Sequence, residues 1–139
     1  MEEKKEERVK GTILIVDGDI RTRSVLSEFL LRNLRQFHII ATDDVTRALE
    51  WVEKTMPDAI LAGTYLPGGL TGLDFFRQIS DKRSKIGFIL MSETLTEREV
   101  LREGVDGFLR KPIIIEDLIG KILGVIVKKT FPEAVNSDG

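Results

Sequence analysis

Apolar and polar positions along the chain alternate between two periods. GTILIVD (11–17) is a continuous aliphatic run, rich in β-branched residues and too short for a helix; this is the pattern of a strand buried on both faces. Beyond it, Val25, Leu26, Phe29, Leu30 and Leu34 recur at spacings of three and four, the stripe of a helix packed along one side. FHIIA (37–41) predicts a second strand. Asp43 stands where a cap is needed for a second helix, in which Val45, Ala48, Leu49 and Val52 share a face and which Pro57 stops. DAILAG (58–63) predicts a third strand, LPGGLTG (66–72) a loop, and Leu73, Phe76 and Ile79 a third helix. GFILMS (87–92) predicts a fourth strand. Thr94 and Glu97 read as a capping box for a short fourth helix closed by Gly104. DGFLR (106–110) predicts a fifth strand and Ile115 to Val127 a fifth helix.

Strict alternation with short connections predicts an α/β fold: a (βα)5 three-layer, doubly wound domain with a five-stranded parallel sheet. It spans residues 10–128, between a charged flexible N-terminus (1–9) and a flexible polar tail (129–139). Ligands in such folds sit beyond the carboxyl ends of the strands. The residues standing there are Asp17, Gly18 and Asp19 after the first strand, Gly63 and Thr64 after the third, Ser92 and Glu93 after the fourth, and Lys111-Pro112 after the fifth.

Composition narrows the chemistry. The 139 residues contain no Cys, which removes disulfides, thiolate metal sites and thiol catalysis. The one His, His38, lies at the start of a strand and makes a His-rich metal centre impossible. Lys and Arg number 21 against 23 Asp and Glu, a net charge of −2 without the basic excess that nucleic acid demands. No apolar run approaches the ~18 residues of a membrane span, and MEEKKEERVK at the N-terminus has no apolar signal core. A cytoplasmic setting is expected, with neither membrane nor direct nucleic-acid partners. No triad, phosphate loop or paired-carboxylate catalyst is evident, so no enzymatic activity is expected.

The segments ILIVDGD, PDAILAGTYLPGGLTGLDFF, FILMSE and GVDGFLRKPI, in that order and spacing, resemble a response-regulator receiver domain over about residues 10–128. The resemblance implies a flavodoxin-like, CheY-like fold and a role in two-component signalling. In that family a carboxylate pair after the first strand helps hold Mg²⁺, and an Asp ending the third strand takes a phosphoryl group. A hydroxyl ending the fourth strand and a Lys after the fifth, usually followed by a cis-Pro bond, contact that group. An aromatic in the fifth strand follows the state of the site. Carried over by position, the pair falls on Asp17 and Gly18, the phosphoacceptor on Gly63, the hydroxyl on Ser92, the lysine on Lys111 and the switch aromatic on Phe108. Gly63 cannot be an aspartyl nucleophile, and Gly18 removes a metal ligand, so Mg²⁺ binding is expected to be weak or absent, with no other cofactor or metal. Asp17 then reads as a partner for Lys111, and Asp19 as a cap for the first helix. Ser92 and Lys111 either retain an anion or are structural. Thr64 is a hydroxyl beside the vacant position. Trp51 lies on the polar side of its helix.

The last helix carries Ile115, Leu118, Ile119, Ile122, Leu123, Val125 and Ile126, more apolar circumference than one packing face needs. Gly120 and Gly124 lie inside it, each costing about 1 kcal/mol against Ala. Either another chain approaches there, or the glycines fit the sheet and the tail covers the rest. The reading adopted is a partner or homodimer contact through Ile119, Ile122, Leu123 and Ile126. In receivers the face of the fourth helix, fifth strand and fifth helix is the usual output and dimer surface.

The expected function is that of a stand-alone pseudo-receiver, a degenerate member of the class that signals through contact with a histidine kinase or downstream effector without Asp phosphorylation. The alternatives are a small-anion sensor using the vacated pocket and a flavodoxin-like enzyme, although DGDIRTR lacks the hydroxyl- and glycine-rich phosphate loop the latter needs.

Overall fold

The computed structural model describes residues 11–132. The charged N-terminus and the end of the tail lie outside the described residues. Five strands, β1 (Gly11–Val16), β2 (Phe37–Thr42), β3 (Ala59–Gly63), β4 (Gly87–Ser92) and β5 (Gly107–Arg110), alternate with five helices. These are α1 (Ile20–Asn33), α2 (Val45–Thr55), α3 (Gly72–Gln78), α4 (Glu97–Arg102) and α5 (Ile115–Thr130). All strand pairs are parallel and the order is β2-β1-β3-β4-β5. The predicted doubly wound three-layer fold is what the chain forms.

Side-chain alternation divides the core in two. Ile13 and Ile15 of β1, Leu61 of β3, Ile89 and Met91 of β4 and Leu109 of β5 face α1 and α5. Leu14 and Val16, Ile60 and Ala62, Phe88 and Leu90, and Phe108 face α2, α3 and α4. The three central strands are buried on both sides, which is why their sequences are unbroken aliphatic runs. β2 lies at the sheet edge and is only half-buried, leaving His38 exposed.

Several local expectations are corrected. The cap of α2 is Asp44, whose Oδ1 accepts from the Thr46 and Arg47 N–H groups, and not Asp43. The capping box of α4 is Thr96 with Glu99, two residues later than predicted, because Thr94 belongs to a turn closed on Ser92. Leu26, Leu30 and Leu34 carry the packing of α1, while Val25 is 55% exposed. In α3 the deepest side chain is Phe75, against Phe88. Trp51 is partly buried against the core, with Lys54 over its ring. α5 runs to Thr130, past the predicted end at Val127, because Lys128 and Lys129 both reach the buried carboxylate of Asp106.

α5 lies close to the sheet because Gly87 leaves room for it: a Cβ there would fall 2.6 Å from Val125 Cγ2. Gly120 and Gly124 are the opposite case. A Cβ on either meets nothing within 4 Å, so neither glycine fits against the sheet. Of the four residues expected on a contact surface, Ile122 is fully buried in the core and is corrected to a packing residue, since α5 turns that side to the sheet. Ile119 and Ile126 are partly buried on the flanks, and Leu123 is exposed.

Candidate functional site

Strand register assembles the candidate site at the carboxyl edge. Val16 pairs with Ala62 and Gly63 with Met91, so Asp17, Gly63 and the start of the loop after β4 lie side by side. Lys111 joins them through its backbone N–H, which donates to the Ser92 carbonyl at 3.0 Å. The peptide bond from Lys111 to Pro112 is cis, as the resemblance implied. Asp17, Gly18, Asp19, Thr64, Ser92, Glu93 and Lys111 thus meet, with Tyr65 and Met91, around one cleft of about 290 Å³.

The floor of the cleft is an ion pair. Lys111 Nζ lies 2.7 Å from Asp17 Oδ2, and the Asp17 side chain is 3% exposed against 18% for Lys111. Asp17 Oδ1 accepts the Asp19 N–H at 2.8 Å. Both carboxylate oxygens are therefore engaged. Their location matters more than their partners: a Cβ built on Gly63 would lie 2.4 Å from Asp17 Oδ2. The space beside Gly63 is filled by a carboxylate from the neighbouring strand. A Cβ on Gly18 would meet the Tyr65 carbonyl at 3.3 Å and Pro67 Cδ at 3.6 Å.

The hydroxyls are occupied as well. Ser92 Oγ accepts the N–H groups of Thr94 (3.1 Å) and Leu95 (2.9 Å), shaping the turn into α4. Thr64 is buried and donates to the Met91 carbonyl at 2.8 Å. Asp19 caps α1 by accepting the Arg21 N–H, and that bond, then one from the Thr22 hydroxyl, holds its carboxyl below the usual value of 3.8. Phe108 is buried, with Arg110 stacked over its ring and Arg110 Nη1 donating to the Ser92 carbonyl.

The charge of the cleft is acidic: Asp17, Asp19 and Glu93 line it with Lys111 as the one cation among the lining residues. Among the described residues no group of three or more His, Asp or Glu side chains is placed to hold a metal ion. A second cleft of about 410 Å³ adjoins it, where Val25 and Leu26 of α1 meet Pro112, Ile113 and Ile115.

What the sequence did not reveal is the position of the Asp17 carboxylate. Residue identity indicated its partner Lys111; only the register of β1 against β3 shows that it lies where a residue-63 side chain would go.

Residues 13–123 match the response regulator receiver domain family. The chain is 30% identical over 129 residues to a cyclic di-GMP phosphodiesterase of Thermotoga maritima, covering 91% of this chain and 34% of that protein. It is 29% identical over 124 residues to the response regulator MprA of Mycobacterium leprae, covering 87% of this chain and 53% of that protein. The chain thus spans about half or less of the length of the curated relatives it matches. Among solved structures it is similar to the receiver domain of the sensor histidine kinase PA1611 of Pseudomonas aeruginosa, which holds a magnesium ion in its active-site cleft. That match has a TM-score of 0.71 and 25% identity, covering 84% of this chain and 97% of that one. No helix among the described residues is long and apolar enough to cross a membrane.

Proposed function

The chain belongs to the response regulator receiver domain family, and from that premise we propose that it signals through protein–protein contact without accepting a phosphoryl group on an aspartate. One observation carries the reading: the third strand ends in Gly63, and the Asp17 carboxylate, paired with Lys111, fills the space beside it. A phosphoaspartyl group needs a free carboxylate there and a divalent cation to offset its charge. The donor set does not suit Mg²⁺. Gly18 offers no side chain, and both oxygens of Asp17 are already bonded, whereas the ion prefers one or two free carboxylates. We hold Mg²⁺ binding to be weak for that reason.

Signalling by contact draws support from the surface. Val25, Ile113 and Ile115 line the larger cleft, and Ile20 and Ile114 are 65% and 59% exposed. A histidine kinase or an effector is the class of partner the family supplies. The activity in the name of the Thermotoga relative belongs to that longer protein. A small-anion ligand is disfavoured, because the cleft is acidic and its hydroxyls are spent on the turn after β4.

Incubation with acetyl phosphate and Mg²⁺, read by intact mass, tests the reading. The expected mass is unchanged. An added phosphoryl group mapping to the Asp17–Lys111 cleft would overturn it.

A further inference from the structure

The two edges of the sheet differ. β5 has four residues, ends in Arg110 and runs at once into the Lys111–Pro112 bond; brevity, charge and proline are the usual means by which an edge refuses a further strand. β2 has none of them. FHIIAT contains no Lys, Arg, Asp, Glu, Pro or Gly, and its register with β1 is unbroken through six pairs, so no bulge turns it aside. The Asp17 N–H donates to the Thr42 carbonyl, which sets the alternation. His38, Ile40 and Thr42 turn their backbone groups toward β1, and Phe37, Ile39 and Ala41 turn theirs outward. The Phe37 N–H is taken by the Leu34 carbonyl; the N–H and C=O groups of Ile39 and Ala41 have no partner among the described residues. Ile39 and Ile40, on opposite faces, are only half-buried. Above this edge stands the flank of α1 that carries Ile20, Ser24, Ser27 and Leu31 at helical spacing, away from the flank where Val25 and Phe29 meet Ile115. Ile20 and Leu31 are 65% and 56% exposed.

We propose that β2 pairs edge to edge with β2 of a second copy of the chain, antiparallel, about a two-fold axis perpendicular to the sheet at Ile40. That axis sets Ile39 opposite Ala41 of the other copy. Both residues have outward backbone groups, so each such pair exchanges two N–H···O bonds, and symmetry supplies the pair twice. An axis of this kind keeps each face of the sheet on its own side. Ile40 then meets its own counterpart on the α2 side, and Ile39 meets Ala41 on the α1 side. On that same side Ile20 of one α1 is turned toward Leu31 of the other, with the small Ser24 and Ser27 between them. Charge selects a second copy as the occupant. β2 is uncharged, but Arg35 stands in the turn before it and Asp43 and Asp44 follow it, all exposed. Antiparallel pairing about Ile40 brings residues 35 and 36 of one copy level with residues 45 and 44 of the other, so the basic end of each strand lies beside the acidic end of its partner at both ends of the seam.

The proposal goes beyond the reading of the cleft and does not depend on it; the mass measurement above is indifferent to its outcome. Equilibrium sedimentation of the full chain is expected to show mass rising toward twice the monomer with concentration. Ala41→Pro removes an outward donor and no bond to β1, and Ala41→Lys sets a charge on the seam at an exposed position. Both are expected to be folded by circular dichroism and monomeric, and Ala41→Lys decides if the proline variant does not fold. The chain has no Cys, so disulfide trapping reports the register. His38→Cys is expected to link to Thr42→Cys in a mixture, and not to itself. A monomer at every concentration would overturn the proposal and leave the edge to a strand of a different protein. An Ala41→Lys chain that associates undiminished, or a His38→Cys chain that links to itself, would overturn it as well.

Discussion

Lys111 donates to Asp17 across 2.7 Å, and the accepting oxygen lies where a side chain on the neighbouring Gly63 would have to start. The two facts form one arrangement. Without a side chain at position 63, the Asp17 carboxylate settles beside β3, and Lys111 neutralises it there. The ends of β1 and β5 are thereby tied together by a bond within the chain that passes beside the end of β3.

The two ends of that bond are unequally buried, and their removal is expected to cost unequally. Lys111→Met strands a carboxylate that is almost wholly inaccessible, a loss of about 3–5 kcal/mol. Asp17→Asn keeps an oxygen for the Asp19 N–H and leaves an ammonium that can reach water, a loss of about 1–2 kcal/mol. Urea denaturation of both variants measures the order. Asp17→Asn proving the costlier change would contradict the burial argument.

Refilling the vacancy alone is not expected to restore phosphorylation. Gly63→Asp sets a new Cβ 2.4 Å from Asp17 Oδ2, so Asp17 must leave Lys111 and two carboxylates must share the floor. The single variant is expected to be less stable and to remain unmodified by acetyl phosphate. Gly18→Asp adds a side chain that need only ease past the Tyr65 carbonyl at 3.3 Å. The double variant is expected to gain Mg²⁺-dependent thermal stabilisation and then a phosphoryl adduct, both measurable on one preparation. Ready phosphorylation of Gly63→Asp by itself would show that Asp17 does not block the position.

Alternation of apolar runs with helical stripes was enough to read all five strands, all five helices and their parallel arrangement, because central strands buried on both faces leave an unmistakable aliphatic signature. Capping was less legible. Asp43 and Asp44 are chemically equivalent in the sequence, and Thr94 precedes Thr96 by one short turn; which one caps depends on where the strand before it releases the chain. The residues of the cleft were also legible, as matches to family positions. Their state was not. That Ser92 and Thr64 are committed to backbone groups, and that Asp17 fills the site, follows from strand register and turn geometry that residue identity does not carry. The exposed side of α5 was misplaced by about one residue, because an apolar surplus along the helix does not show which side the sheet takes.

Acid is expected to loosen the first turns of α1 and α3. Asp19 is held below its usual value by the Arg21 N–H first, and Asp74 by the Thr71 N–H first. A carboxyl lowered on folding contributes stability above its unfolded value of 3.8, and that contribution is lost as pH falls through the lower folded value. NMR titration should place both carboxyls below 3.8, and Asp74→Asn should flatten the acid limb of the stability curve. Titration of both at or above that value would remove the capping bonds from the account.

The glycines of α5 stand in open space, whereas those at the sheet are packed, and the two kinds are expected to respond oppositely to a methyl group. Gly120→Ala and Gly124→Ala each place a methyl group in open space, so each is expected to raise monomer stability by about 0.5–1 kcal/mol. Gly72→Ala and Gly87→Ala, whose methyl groups would fall 2.2 Å from the Gly63 carbonyl and 2.6 Å from Val125, are expected to do the reverse. Urea midpoints of the four variants make the comparison. A loss of stability in Gly120→Ala or Gly124→Ala would show that these two positions are packed and not open.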